Sequence, residues 1–99
     1  MPQYVVTARD GTDPDALARR LAARPVHLAN ITPMVEDGRI IAGGALLDEH
    51  ERMIGSVCIV DFADRAALDH WLATDPYVTQ GVWQTIEVQP FRLAVTSKK

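Results

Sequence analysis

The stretch from Met53 to Phe62 constrains this chain more than any other. Inside it, Val57, Cys58, Ile59 and Val60 run apolar without a break. A strand turns successive side chains to opposite faces, so this one needs cover on both sides. Antiparallel sheets that leave one face to water alternate apolar with polar residues instead. The fold must therefore be layered, with one cover drawn from the chain's own helices and a second from elsewhere. A chain of 99 residues has room for one core, which at this size buries roughly 60 to 70% of the surface the unfolded chain exposes. Residues 1–99 thus read as a single domain.

The remaining elements follow from periodicity. Gln3 to Ala8 sets Tyr4, Val6 and Ala8 against Gln3, Val5 and Thr7, and Arg9-Asp10-Gly11 closes this first strand with turn residues. Beyond Asp13, the apolar residues Leu17, Leu21, Leu28, Ile31 and Val35 recur at helical spacing. Pro25 falls where an interior helix residue needs its N–H. The pattern therefore predicts two helices in series, one over about Asp15 to Ala23 and a second opened by Pro25 at its first position, where the missing N–H costs nothing. Glu36-Asp37-Gly38 ends the second, with Gly38 at C′, and Pro33 predicts a local kink.

Ile40 to Leu47 reads as a strand whose Gly43-Gly44 pair signals a bulge or a close approach by other atoms. Asp48 to Arg52 is a charged hairpin tip leading into the Met53–Phe62 strand. Asp64 then caps a helix with Ala67, Leu68, Trp71 and Leu72 on its apolar face. Asp75-Pro76 stops it. Tyr77 to Gly81 is a loop or single turn, Trp83 to Pro90 alternates as a fourth strand, and the tail from Ser97 is expected to fray.

The order β, α, β, β, α, β is the ferredoxin-like, split-βαβ pattern of the α+β class, with one four-stranded antiparallel sheet and helices on one face. The other face leaves Val57 or its neighbours without cover. A homodimer built by packing that face on its own copy supplies it. A C-terminal segment folding back over the sheet is the alternative.

Composition removes several functional classes. The formal charge is −3, and the basic residues are scattered apart from Arg19-Arg20 and Lys98-Lys99, so no nucleic acid partner is expected. The one cysteine, Cys58, permits no intrachain disulfide and fits a reducing compartment. Met1-Pro2-Gln3-Tyr4 does not open a signal peptide, and no apolar run reaches the ~20 residues of a membrane span. A cytoplasmic location with no membrane association is the expectation. There is no HxH, HExxH or CxxC spacing and no glycine-rich phosphate loop, so neither a metal nor a cofactor is expected.

Topology brings distant polar residues together. With the end of the first strand taken as the top, the helix opened by Pro25 starts at the top, and the helix after Asp64 ends there. His27, in the first turn of one, and Asp75, just past the last turn of the other, can therefore meet. Ser56 near the start of the third strand, Arg24, Tyr77 and Trp83 belong to the same end, and Gly43-Gly44 can leave room there for a ligand. Taken singly, each has a plainer role: a histidine beside an apolar stripe is commonly packed, and Asp-Pro is ordinary turn chemistry. His50 belongs to the hairpin and His70 to a polar helix face.

Arg24-Pro25-Val26-His27-Leu28, then Glu36-Asp37-Gly38-Arg39, Gly55-Ser56, Asp75-Pro76-Tyr77-Val78 and Pro90-Phe91 together resemble the YciI-like (YCII-related domain) family from Tyr4 to Phe91. Pro33 departs from the resemblance, since relatives more often carry a good helix former there. The resemblance implies a dimeric α+β barrel, an architecture shared with muconolactone isomerases and small cofactor-free monooxygenases. It also implies a catalytic histidine–aspartate pair, which maps onto His27 and Asp75.

On that reading His27 moves a proton in an isomerisation, elimination or other lyase step on a small organic acid or an oxidised aromatic. Asp75, bonded to the other ring nitrogen, fixes the tautomer. Arg24 and Ser56 hold a substrate oxygen or carboxylate, and Tyr77 and Trp83 form an apolar wall. The alternative is a non-catalytic small-ligand-binding or accessory dimeric protein in which the pair only orders the junction between helices.

Overall fold

The computed structural model describes residues 2–97, so Met1 and the Lys98-Lys99 end of the tail lie outside it. Strand β1 (Gln3–Asp10) is followed by helix α1 (Ala16–Glu36), strands β2 (Ile40–Leu47) and β3 (Met53–Asp61), helix α2 (Arg65–Thr74), the short helix α3 (Pro76–Thr79) and strand β4 (Trp83–Phe91). The strands form an antiparallel sheet in the order β2-β3-β1-β4. This is the ferredoxin-like α+β fold, with β1 and β3 at the centre. Among the described residues, no helix is long and apolar enough to cross a membrane.

Register explains the layering. Val6 pairs with Cys58 and Val88, and Ala8 with Ser56 and Ile86, on the face toward the helices. Val6, Ala8, Cys58 and Val60 are buried there with Leu68, Trp71, Tyr77, Val82 and Trp83. The opposite face carries Val5 paired with Ile59 and Thr7 with Val57, and these four remain only half-buried. The third strand is thus apolar toward both sides, as its sequence requires. The C-terminal segment does not supply the second cover: past Phe91 it takes up no strand, and Val95 is 86% exposed.

The helix between β1 and β2 differs from expectation. It is one continuous 21-residue helix running through both Pro25 and Pro33, not two in series. Each proline removes one internal hydrogen bond, but both rings lie on the exposed side, where water can satisfy the carbonyls left over. His27 therefore sits mid-helix rather than in a first turn. The buried stripe differs too. Leu21, Leu28 and Val35 are exposed, while Ala16, Arg20, Ala23, His27 and Met34 face inward. A charged side chain and an imidazole occupy places that a purely structural helix fills with leucine.

Smaller differences also have physical causes. The register irregularities of β2 fall at Ile40/Ala42 and Leu46/Leu47, not at Gly43-Gly44. Gly43 instead serves a close approach, since a Cβ there would stand 3.2 Å from Cys58 Cβ. The segment after Asp75 takes up the expected single turn, as the four-residue helix α3. Gly38 ends α1 with φ +88°, as a C′ glycine should, and the Asp64 carboxylate accepts from Ala67 N–H at 2.8 Å to cap α2.

Candidate active site

Helix lengths decide where the dyad forms. At 1.5 Å per residue, His27 lies about 16 Å down α1 from Ala16, and α2 climbs about 15 Å before it stops at Asp75. The two ends of that geometry meet halfway along the helix layer rather than at its top. His27 Nδ1 lies 2.7 Å from Asp75 Oδ1 across 48 positions of sequence.

Asp75 owes its place to Pro76, which forces the preceding residue out of the helical region: its φ and ψ are −67° and 137°. In that extended conformation it ends α2 and caps α3. Its carboxylate, fully buried, accepts four hydrogen bonds: Oδ1 from His27 and from Tyr77 N–H at 2.9 Å, Oδ2 from Asn30 Nδ2 and Trp71 Nε1, each at 3.1 Å. Burial alone pushes this carboxyl's pKa up, but the bonds from His27 and the Tyr77 N–H outweigh it and hold the group below its ordinary range. That direction favours the ionised carboxylate, placed to orient the imidazole through Nδ1.

The imidazole is held from the side as well. Tyr77 stacks on it with centroids 3.7 Å apart and planes 8° from parallel, and Trp83 meets it edge-on at 5.9 Å. Arg20 is two turns before His27 on the same face of α1, about 10.5 Å along the axis, which leaves room for one ring between them. Tyr77 occupies it, with the Arg20 guanidinium carbon 4.9 Å from its centroid.

Arg20 is nearly sealed from solvent and is neutralised by Asp10, whose two carboxylate oxygens each lie 3.0 Å from Nη1. Its Nη2 donates to Ser56 Oγ at 2.9 Å, and Trp83 Nε1 donates to the same oxygen at 3.1 Å. Four elements, β1, α1, β3 and β4, are thereby tied into one polar cluster, and the bonds to Asp75 join α2 and α3 to α1 beside it.

Beside this cluster lies a cavity of about 340 Å³ between α1 and the β2–β3 side of the sheet, at the small end of the range for ligand pockets. His27, Ser56, Tyr77, Trp83, Arg20 and Arg24 all line it. Gly43-Gly44 and Cys58 contribute from the sheet, and Leu28, Ile31 and Val35 from the helix. Leu28 and Val35 stay accessible where they face this space, while Ile31 also packs against the core. Among the described residues, the buried side-chain polar atoms without a partner are Arg20 Nε and Asp61 Oδ1. Among the described residues His27 Nε2 has no partner, and it is not one of these sealed atoms, so it is accessible in a residue that lines the cavity. Arg24, exposed, pairs with nothing among the described residues.

The residues singled out from sequence are thus brought together: His27 with Asp75 directly, Ser56, Tyr77 and Trp83 around them, and Arg24 at the cavity wall. Asp10, Arg20, Asn30 and the polar end of Trp71 were missed. Asp10 reads as a turn residue, Trp71 as core, and Arg20 falls on the inner face only when α1 is continuous. No three His, Cys, Asp or Glu side chains cluster for a metal among the described residues. Burial, with a smaller contribution from the Asp75 charge, pushes the Cys58 thiol up to about 12, which leaves it without nucleophilic character.

Residues 3–92 match the family model of the YCII-related domain. Protein YciI of Escherichia coli O6:H1 is 34% identical over 95 residues, covering 90% of this chain and 95% of that protein. Among solved structures, the 5-chloro-2-hydroxyhydroquinone dehydrochlorinase of Burkholderia phenoliruptrix AC1100, in complex with 2,5-dihydroxybenzoquinone, superposes with a TM-score of 0.80 at 21% identity, covering 93% of this chain and 95% of the other. A dimeric ferredoxin-like protein from Jannaschia sp. CCS1 superposes with a TM-score of 0.51 at 18% identity, over 94% of this chain and all of that one (100%).

Proposed function

This chain belongs to the YCII-related domain family, and we propose that within it the protein is a small enzyme that moves a proton with His27 as general base. The observation that carries the proposal is an imidazole that lines a ligand-sized cavity, with one nitrogen bonded to a buried carboxylate and the other accessible and without a partner among the described residues. A group that only ordered a helix junction would be closed over by packing on both sides. A base must reach the proton it removes, and Nε2 is the atom left free to do so. Asp75 keeps the proton of the neutral ring on Nδ1, so the lone pair is on the cavity side.

The reaction class is isomerisation or elimination on a small organic acid or oxidised aromatic. Arg24, without a partner among the described residues, supplies a cation for a carboxylate or phenolate, Ser56 a contact to a substrate oxygen, and Tyr77 and Trp83 an aromatic wall. A dehydrochlorinase on a similar fold, holding a dihydroxybenzoquinone, is consistent with that chemistry without assigning it. The active form in this proposal is a homodimer joined through the half-buried face of Val5, Val57 and Ile59.

The test is a panel of halogenated hydroquinones, unsaturated lactones and β-substituted acids, followed by absorbance and NMR with wild type, His27→Gln and Asp75→Asn. Turnover lost by at least a hundredfold in His27→Gln, with the fold retained, supports the proposal. Turnover that survives the substitution contradicts it. The four bonds to Asp75 favour one competing reading, a dyad whose duty is to join α1, α2 and α3 in a binding protein. That reading predicts ligand binding with no turnover on the whole panel.

A further inference from the structure

The Ser56 hydroxyl has its polarity imposed on it. A hydroxyl has one proton to give and two lone pairs to receive with. Arg20 Nη2 and Trp83 Nε1, both groups that can only donate, stand 2.9 Å and 3.1 Å from Ser56 Oγ. Both lone pairs are therefore taken. The proton is left to be donated, and no acceptor for it exists among the described residues. Ser56 lines the cavity, which is where an acceptor from outside the chain can approach.

We propose that Ser56 is the oxyanion donor of this site, a hydroxyl held as an obligate donor by Arg20 and Trp83, and that the substrate is a carbonyl compound whose oxygen becomes negative as His27 removes a proton. The assignment rests on the dyad reading for its catalytic part. In the step, the C–H electron pair forms a new C=C bond and the carbonyl π pair moves onto oxygen, while the proton goes to His27 Nε2. The resulting enolate oxygen receives the Ser56 hydrogen bond. His27 then returns the proton to a different carbon in an isomerisation. In an elimination, the enolate re-forms its carbonyl as a leaving group departs with its electron pair.

Placement supports the pairing of roles. Trp83 bonds Ser56 through Nε1 and meets the His27 ring edge-on, so base and donor share one aromatic contact. A cation behind the hydroxyl makes it a stronger donor, and preorganised donors aimed at developing charge contribute 10²–10³ to turnover in acyl-transfer enzymes. Arg20 is a positioning residue here. Asp10 holds its Nη1, which leaves Nη2 turned to Ser56.

The experiment uses binding, so that it does not depend on finding the reaction. 4-Nitrophenolate serves as an enolate mimic and 4-nitroanisole as its uncharged counterpart, titrated by calorimetry into wild type, Ser56→Ala and Ser56→Thr, with Ser56→Cys replacing the alanine variant if that one fails to fold. The expected result is that wild type prefers the phenolate. Ser56→Ala or Ser56→Cys should weaken the phenolate at least tenfold with little change for the anisole, and Ser56→Thr should restore it. Equal affinities in wild type, no binding of the phenolate, or an alanine variant that binds it unchanged would each overturn the proposal. Phenolate binding that depends on Ser56 in a protein that turns over nothing keeps the donor and rejects the dyad. Turnover that needs His27 but not Ser56 does the reverse.

Discussion

Replacing Asp75 with asparagine changes one oxygen to an amide in a place where every neighbour is a donor. Asparagine's oxygen can stand at the Oδ1 position and keep the bonds from His27 and the Tyr77 N–H. Its NH₂ then faces Asn30 Nδ2 and Trp71 Nε1, which meet Oδ2 in the wild type at 3.1 Å each. Asn30 can flip its amide and present oxygen, but the indole cannot. A buried donor left unpaired costs about 1–3 kcal/mol, and the bonds that survive lose their charge assistance, about 1 kcal/mol more. The net is about 3 kcal/mol, a large share of the ~5–15 kcal/mol that holds a domain of this size.

At 4–8 °C per kcal/mol, Asp75→Asn should therefore melt about 12–24 °C below wild type while remaining folded at room temperature. Acid narrows the gap. The carboxyl's folded pKa lies below its ordinary value, so its contribution is full above the unfolded value of about 3.9 and is lost as pH falls through the folded value. Urea titrations followed by far-UV circular dichroism from pH 7 down to pH 3 would read both effects. A difference under about 0.5 kcal/mol at neutral pH, or one that widens in acid, would refute the hydrogen-bond accounting.

Other substitutions test other parts of the site. Arg20→Met strands the buried Asp10 carboxylate and should cost about 3–5 kcal/mol, whereas Arg20→Met with Asp10→Leu should recover most of it; urea midpoints of the two variants decide. Arg24→Gln, at an exposed residue with no partner among the described residues, should leave stability within about 0.5 kcal/mol yet weaken 4-nitrophenolate in the calorimeter. Cys58, buried and with its pKa pushed up to about 12, should resist alkylation at neutral pH until urea unfolds the chain, as mass spectrometry of the labelled protein would show. Sedimentation should give a dimer at micromolar concentration, and Ile59→Lys, which charges the open sheet face, should give a monomer.

The fold was legible where periodicity and turn chemistry agreed. Val6 and Ala8 against Val5 and Thr7, the Asp64 cap, Gly38 and the Asp75-Pro76 stop are local signals, and local physics obeys them. Pro25 misled because tertiary packing of α1 outweighs the roughly 3 kcal/mol that a proline costs inside a helix, with the ring on the exposed side. That one break hid Arg20: the inner face of a continuous α1 carries Arg20 and His27 two turns apart, and no reading that restarts the helix at Pro25 keeps them in phase.

The meeting of His27 and Asp75 was legible from strand and helix directions, although the histidine's place on its helix was not. What surrounds them was less so. Asp10 and Asn30 carry no sequence signal beyond turn and helix surface, and only the register of β1 with β3 and the pitch of α1 bring them to Ser56 and Asp75. A polar cluster assembled from six elements is a property of the packing, and a single sequence contains it only implicitly.

The most direct measurement of the central claim, that His27 Nε2 removes a proton inside the cavity, is exchange of carbon-bound hydrogen in D₂O. Small keto acids and quinoid carbonyl compounds are incubated with the protein and followed by ¹H NMR, which requires no knowledge of the product. At least one compound should lose a proton adjacent to its carbonyl far faster with wild type than with buffer. His27→Gln should abolish the excess and Asp75→Asn should reduce it. Exchange at the buffer rate across the set, or exchange that His27→Gln leaves intact, would contradict that claim.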